Sequence, residues 1–338
     1  MSETGLVDDL VSELVILSPG LSSPFDLANL VLLLSTVAQR RELEVDWGEL
    51  IQRAIDALTS GDSTTPGLFG RLGFSLALQH SLRLLGDETD LAESTDAGVL
   101  ATLEANAEMR HDLTDGIGGH LLYLLERPDS AINLTSRAKL LDRLSAAGAW
   151  WSDDLGLAHG HAGVVLVLAR VVGRGWGAER ERTLLVSAVD ALLSHRQVAR
   201  PFIYTYVAGG KEGRLGWCYS DLSTALALRY AGRALGRADV EAAAIEAVRS
   251  AARVSLEESL VVDAALCHGA AGAALIFSSF DDEPAAKEAA LRWYGLVPRF
   301  LSATRDRFSL LNGSLGVALA LESQVSNERE WARLFCFA

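Results

Sequence analysis

The apolar positions of this chain recur in a repeat with helical rather than strand-like spacing. Six times, two small residues separated by two others are followed by a continuous apolar run. The first small residues lie 44 to 60 positions apart, at Gly70, Gly116, Gly160, Ser220, Gly269 and Gly313. No run alternates apolar and polar residues as a half-buried strand would, so each predicts a buried α-helix. Glycine at its start would let neighbouring backbones approach closely.

Amphipathic stretches rich in Ala, Leu, Arg and Glu separate the apolar runs. They are residues 46–58, 135–147, 179–193, 238–254 and 285–294. One buried and one amphipathic helix per repeat predicts six helical hairpins, and hairpins whose buried helices face inward form a closed α/α toroid. We therefore expect an all-α fold with residues 1–338 as a single domain. An open helical solenoid is the alternative, because the same repeat can stack without closing.

Composition and charge narrow the class of partner. Hydrophobic residues make up 49% of the 338, which is enough for a large core, and the formal net charge of −14 argues against a nucleic-acid partner while permitting a basic peptide.

We expect no secretory signal, since no basic segment precedes an apolar one at the N-terminus, and no membrane span, since the apolar runs are far shorter than roughly 18–20 residues. Three cysteines without framework spacing favour a reducing compartment, so the expected location is cytoplasmic.

Two of the three cysteines occupy equivalent positions of the repeat. Cys218 stands two residues before Ser220, and Cys267 stands two residues before Gly269. In a ring, equivalent positions of adjacent inner helices face the same cavity at the same height, and His268 follows Cys267 directly. Two sulfurs and one imidazole are typical zinc ligands, and a site with three protein ligands keeps one position open for chemistry. The pattern therefore predicts a metal site, with zinc as the favoured ion.

The residue before each small pair lines one mouth of the predicted ring. This series is Phe69, Asp115, His159, Tyr219, His268 and Asn312. From its position in the repeat alone, Asp115 is the acidic residue expected near the metal site. Residues 200–210, in the longest interval, are interpreted as a loop near the active face. Cys336 is interpreted as inert packing, and His120 and His161 as core or surface histidines.

Four motifs make the chain resemble the lanthipeptide cyclases, the LanC family, over nearly its whole length. They stand in the family's order: Gly156-Leu-Ala-His159-Gly160, Trp217-Cys218-Tyr219, Cys267-His268-Gly269 and Asn312-Gly-Ser-Leu-Gly316. The resemblance implies an α/α toroid with a catalytic zinc ion at its centre. The implied zinc ligands are Cys218, Cys267 and His268.

The resemblance also implies three catalytic residues. The histidine of the first motif is His159, the arginine four residues before the first zinc cysteine is Arg214, and the aspartate four residues before a helix-starting glycine is Asp112. Asp112 thus differs from the acid that the register favours. One departure from the family pattern is that Ser220 and Asp221 follow Trp-Cys-Tyr where glycine is usual, and Asp221 is expected to add a charge near the mouth. The chain is also shorter than typical family members, and we expect this difference to affect binding of the precursor peptide more than the zinc site.

The implied reaction is the addition of a peptide cysteine thiol to dehydroalanine or dehydrobutyrine, which forms a lanthionine or methyllanthionine thioether. A free thiol is mostly protonated at neutral pH, and coordination to zinc deprotonates it. His159 is expected to protonate the α-carbon, and Arg214 to stabilise the enolate or hold Asp112. Asp112 is expected to orient His159 or to accept the thiol proton.

The expected partner is a dehydrated precursor peptide rich in Cys, Ser and Thr, supplied by a lanthipeptide dehydratase. Two alternatives remain: a LanC-like protein that adds glutathione to dehydrated proteins, and a non-catalytic scaffold of a peptide-modification complex. A prenyltransferase-like subunit would need a carboxylate ligand to zinc. A toroidal glycosidase would need two central acids, and Asp112 and Asp115 lie on the same repeat.

Overall fold

Helices make up every regular element of the described chain. The structure is a computed structural model that describes residues 3–60, 67–106, 108–146, 153–176, 179–197, 202–208, 210, 213–304 and 306–338. Within these ranges no β-strand occurs, and no helix combines the length and apolarity that a bilayer span requires. The α-helices are α1 (Glu3–Leu17), α2 (Pro24–Ala38), α3 (Trp47–Ser60), α4 (Arg71–Leu84), α5 (Glu93–Ala105), α6 (Ile117–Leu125), α7 (Ala131–Ala146), α8 (His161–Gly173), α9 (Glu179–Ser194), α10 (Asp221–Leu235), α11 (Ala238–Ala252), α12 (Leu256–Ser259), α13 (Ala270–Ser278), α14 (Pro284–Phe300), α15 (Ser314–Ser326) and α16 (Glu330–Leu334).

Seven helices of the described chain form an inner ring that closes on itself. They are α2, α4, α6, α8, α10, α13 and α15; each contacts the next, and α15 returns to α2. In the same order, these inner helices pack against the outer helices α3, α5, α7, α9, α11, α14 and α1. The N-terminal helix thus covers the last inner helix, which an open solenoid would leave exposed. The predicted α/α toroid is confirmed.

The ring contains one more hairpin than the six that the repeat predicted. All six helices marked by the repeat are present, and each has its first small residue at the N-cap. The seventh, α2, begins with Ser23, whose side chain accepts a hydrogen bond from the Asp26 amide, and with Pro24 in its first turn. A serine cap followed by proline satisfies the free backbone amides at the start of a helix without paired glycines. The glycine repeat therefore could not reveal α2.

In the five pairs made of glycines, the second glycine serves the turn that precedes its own helix, whereas the pair Ser220/Ser223 forms a capping box. A Cβ at Gly163 would overlap the carbonyl oxygen of Leu157, and a Cβ at Gly272 would overlap that of Leu266. These positions therefore exclude any side chain. The close approach lies mainly within a repeat, whereas the sequence led us to expect it between neighbouring helices.

Backbone hydrogen bonds connect these turns around one mouth of the ring. The amide of Leu113 donates to the carbonyl of Ala158, the amide of Leu157 to Cys218, and the amide of Trp217 to Cys267. The donors stand at equivalent repeat positions, as do the acceptors. The register inferred for Cys218 and Cys267 is therefore confirmed in the backbone.

The C-terminal segment packs against the inner face of this mouth. Trp217 Nε1 donates to the carbonyl of Cys336 at 2.8 Å, and the Phe337 ring stacks on Trp217 with the ring centres 5.2 Å apart. Cys336 is buried, and burial raises the pKa of its thiol to about 11. The interpretation of Cys336 as packing agrees with this placement, and His120 and His161 lie in the core as expected.

A buried ion pair joins the two helices at which the ring closes. Arg40, just after α2, donates to both carboxylate oxygens of Glu322 on α15 at 3.0 to 3.2 Å. The Glu322 side chain is 0% exposed. Because a buried carboxylate without a partner is costly, this pair couples the closure of the ring to its stability.

We predict that Arg40→Ala lowers the free energy of unfolding by about 3 kcal/mol, since it strands the buried Glu322 carboxylate. Urea denaturation followed by circular dichroism measures the change. The matched control is Lys139→Ala, which breaks the exposed pair with Glu104 and is expected to cost less than about 1 kcal/mol. Equal losses in the two variants would show that the pair does not stabilise the closure.

Candidate metal centre

Cys218, Cys267 and His268 meet at the mouth of the ring. Their ligand atoms all lie within 4.8 Å of one another, and in the described chain they form the one group of at least three Cys, His, Asp or Glu residues close enough to hold a metal ion. The amides of Trp217 and Cys218 both donate to the carbonyl of Cys267, which holds the two cysteine-bearing turns together. Gly216 lets them approach, because a Cβ there would lie 2.9 Å from the His268 Cα.

The two thiols are electrostatically coupled. The hydrogen bond with Cys267 lowers the pKa of Cys218, an effect that outweighs burial and is reinforced by His268. The same hydrogen bond and burial raise the pKa of Cys267. The pair thus forms one thiolate readily, and a bound cation would favour the second. Two thiolates and an imidazole fit zinc in the chemistry of the donor set.

An aspartate stands behind the histidine of this group. Asp263 Oδ2 lies 3.7 Å from His268 Nε2, while its Oδ1 accepts a hydrogen bond from the amide of Ala265. A carboxylate next to a metal-binding imidazole fixes the orientation of the ring and raises its basicity. Asp263 was not expected from the sequence, although it begins the turn that carries both Cys267 and His268.

His159 and Asp112 form a second cluster on the same mouth. His159 Nδ1 lies 2.9 Å from Thr114 Oγ1 and 3.4 Å from Asp112 Oδ2. The Asp112 side chain is buried and also pairs with Arg110 at 3.2 Å, whereas that of His159 is 47% exposed. Asp115, the acid that the register favoured, is exposed, and its amide donates to Asp112 Oδ1. The structure thus places Asp112 beside His159 and turns Asp115 outward.

Arg214 lies beside the thiols and apart from Asp112. Its Nη2 donates to the carbonyl of Leu260 at 3.4 Å, and its guanidinium carbon is 5.9 Å from the centre of the Tyr219 ring. Its charge adds a smaller contribution to lowering the pKa of Cys218, after the contact with Cys267. Of the two roles expected for Arg214, the structure gives that of pairing with Asp112 to Arg110, at 3.2 Å.

A cavity of about 170 Å³ joins the two clusters. His159, Cys218 and Cys267 line it together with Tyr206 and Asp154, which the sequence did not single out. The charge of Asp154 raises the pKa of Tyr206, and the two side chains also share a hydrogen bond. Only the expected loop at residues 200–210 pointed to Tyr206; residues 200, 201 and 209 of that loop lie outside the described residues.

Asp221 is buried and holds this loop. Its carboxylate accepts hydrogen bonds from the amides of Ile203 at 3.0 Å and Tyr204 at 2.7 Å, and the residue is 0% exposed. The expectation that Asp221 adds a charge near the mouth is therefore wrong. Its position in the first turn of α10 explains the difference, because a helix N-terminus stabilises a carboxylate that is taken out of water.

Comparisons with known proteins add to this picture. The sequence profile of the family described as lanthionine synthetase C-like protein matches residues 27–336. Among solved structures, the chain is similar to nisin cyclase, with a TM-score of 0.81 and 18% sequence identity over 97% of this chain and 96% of that one. No curated protein sequence matches significantly. At this identity the structural likeness shows the fold alone.

We predict that Asp221→Ala accelerates amide hydrogen exchange at Ile203 and Tyr204 at least roughly tenfold, because each amide loses a hydrogen bond to a charged group. Mass spectrometry of the exchanged protein measures this. Asp282→Ala, which removes a carboxylate that is 59% exposed and paired with Arg229, is the control and is expected to leave both amides unchanged. Equal protection in the two variants would show that Asp221 does not hold the loop.

Proposed function

This chain belongs to the lanthionine synthetase C-like protein family, and we propose that it is a zinc-dependent lanthipeptide cyclase. In the proposed reaction, a cysteine thiol of a dehydrated precursor peptide adds to a dehydroalanine or dehydrobutyrine of the same peptide. A C–S bond forms at the β-carbon, a proton enters at the α-carbon, and no group leaves. The observation that carries the proposal is the meeting of Cys218, Cys267 and His268 on the mouth that also holds His159.

Cys218, Cys267 and His268 are the proposed zinc ligands. Bound there, zinc would supply the Lewis acidity that keeps a substrate thiol deprotonated at neutral pH. Both cysteines are half-buried and line the cavity, which supports access for a peptide thiol. Asp263 is proposed to orient the imidazole of His268 from behind.

His159 is proposed to deliver the proton to the α-carbon. Thr114 and Asp112 both lie at Nδ1 of its ring, which leaves Nε2 to address the cavity. The buried carboxylate of Asp112 lies against the Nδ1 side of the ring and fixes its orientation toward the cavity. We therefore assign Asp112 the orienting role, in preference to accepting the thiol proton.

Arg214 is proposed to offset the negative charge that develops on the substrate as the C–S bond forms. It stands near the thiol pair and the Tyr219 ring, where a guanidinium can donate to a developing enolate oxygen. Tyr206 and Asp154 border the same cavity and are proposed to contact the substrate backbone.

The space at the mouth favours a peptide substrate. Leu311 borders both the cavity of about 170 Å³ and a second cavity of about 240 Å³, which Phe69, Phe74 and Asn312 also line. Adjoining cavities can accept residues on either side of the reacting pair. This arrangement supports a dehydrated precursor peptide, supplied by a dehydratase, over glutathione as the source of the thiol.

The free thiols of the site also bear on location. Cys218 and Cys267 contact each other and are unbridged. An oxidising compartment would favour a disulfide between them and remove two zinc ligands. We therefore propose that the protein works in a reducing cytoplasm. Separately, we propose that residues 1–338 form a single cyclase domain.

We predict that the purified protein carries about one zinc ion, as a single site requires, and that Cys218→Ala or Cys267→Ala removes both the metal and ring formation. Elemental analysis measures the metal, and alkylation of free peptide thiols with mass spectrometry counts the rings. Cys336→Ala removes one thiol away from the site and is expected to keep the zinc. Stoichiometric zinc in the double variant of Cys218 and Cys267 would contradict the ligand assignment.

We predict that His159→Ala and Asp112→Asn keep the zinc but slow ring closure by about 10²-fold or more, because they remove the proton donor or its orienting carboxylate. Single-turnover assays follow the loss of free thiols; ring closure leaves the peptide mass unchanged, whereas glutathione addition would raise it. Asp115→Asn alters the exposed neighbouring acid and is expected to stay within about twofold. Equal rates for Asp112→Asn and Asp115→Asn would refute the orienting role.

A further inference from the structure

A third cavity lies at the opposite end of the ring, where the inner helices end. It has a volume of about 580 Å³, and five arginines line it: Arg83, Arg170, Arg174, Arg233 and Arg333. We call it the arginine cavity. It is separated from the metal centre by the length of α8, which is 13 residues or about 20 Å. The proposed reaction uses none of its residues.

One carboxylate faces these five guanidinium groups. Glu126 accepts hydrogen bonds from Arg170 at 2.6 Å and from Arg333 at 2.7 and 3.0 Å. Burial acts to raise the pKa of Glu126, but the hydrogen bond from Arg333 and the charge of Arg170 lower it overall. Glu126 therefore stays ionised and balances part of the charge of its two partners.

The other three arginines lack a carboxylate partner of this kind; the charge of Asp282, which pairs with Arg229, acts on Arg233 from further away. Arg83, Arg174 and Arg233 are exposed, and none of them forms an ion pair with a described carboxylate. They come from the last turns or the C-cap of α4, α8 and α10. In a chain with a formal net charge of −14, three such arginines around one cavity concentrate positive charge where the composition would not suggest it.

The helix macrodipole does not account for this distribution. Basic residues are favoured in the last turn of any helix, since the C-terminus carries a partial negative charge. The inner helices α2, α6, α13 and α15 nevertheless have no basic residue in their last turn, whereas α8 ends with Arg170 and then Arg174. Arg40 and Arg41, just after α2, pair with Glu322 and Asp8. The arginines thus collect on one side of the ring, as a binding site for an anion would require.

We propose that the arginine cavity binds a ligand with two or more phosphoryl groups. A guanidinium presents a planar fork of donors that matches phosphoryl oxygens, and a short chain of phosphoryl groups supplies several negative charges within one small volume. An acidic peptide would have to order several side chains to bring in the same charge. The volume is within the range of small-molecule sites, and Leu125, Ala169 and the Tyr230 ring offer contacts for an apolar remainder.

The test measures binding of inorganic tripolyphosphate to the complete chain by isothermal titration calorimetry. Arg174→Gln with Arg233→Gln is expected to weaken binding about 100-fold, since each lost charge-assisted contact costs roughly tenfold. Arg253→Gln with Arg299→Gln removes the same charge from two exposed arginines outside the cavity and is expected to leave the affinity within about twofold. Circular dichroism and zinc content establish that all variants are folded.

Two further probes identify the source of the phosphoryl groups. Phosphatidylcholine vesicles with and without a phosphorylated inositol lipid test a lipid headgroup, and polyglutamate tests an acidic peptide. Binding of tripolyphosphate or of the phosphorylated vesicles that falls in the Arg174/Arg233 variant supports the proposal and names the source. The proposal would be overturned if neither tripolyphosphate nor the phosphorylated vesicles bind, if the two double variants lose affinity equally, or if polyglutamate alone binds.

Discussion

Backbone hydrogen bonds between neighbouring turns hold the mouth of the ring together, and the site depends on them. The turns before five inner helices, α4, α6, α8, α10 and α13, each donate an amide to a carbonyl of the next turn, as Leu157 does to Cys218 and Trp217 does to Cys267. The amides of these turns need such partners, because residues such as Leu157 and Trp217 are buried away from water and lie outside any helix. Since these five turns take their acceptors from the neighbouring repeat, none of them can shift alone. Side chains on adjacent turns are thereby held at one height.

These backbone hydrogen bonds fix the positions of the proposed metal ligands relative to one another. Cys218 and Cys267 come from turns that are bonded to each other, so the spacing of the sulfurs is set by the backbone and not by a metal. His159 stands on the preceding turn and is oriented by Asp112 and Thr114 from the turn before that. Tyr206 is held differently, on a loop whose backbone is bonded to Asp221 at the start of α10.

Most of the inner helices and the metal ligands could be predicted from the sequence, because the repeat reflects the residues that each turn and each buried helix requires. A turn carbonyl that excludes any Cβ demands glycine before five of the six marked helices, and a capping box of Ser220 and Ser223 starts α10 instead. A helix buried on all sides also demands an apolar run, so the six marked helices and the shared register of Cys218 and Cys267 were readable. The helix α2 was not, since Ser23 and Pro24 satisfy its start in another way. Asp221 was misjudged because a charge next to a cysteine motif gives no sign of whether it faces water or a buried amide.

The sequence by itself thus determined the helical repeat, the all-α fold and the three residues able to hold a metal, since these follow from the identity and spacing of residues along one chain. It favoured a toroid, but the contact of α15 with α2 decided between a closed ring and an open solenoid. Only the tertiary structure decided that Asp112 rather than Asp115 stands at His159, that Asp221 holds the loop of Tyr206, and that five arginines surround one cavity. These arrangements join residues that are far apart in the chain, such as Asp112 and His159 with a separation of 47. Their contacts arise from the closure of the ring, and a one-dimensional pattern does not contain the distances that closure creates.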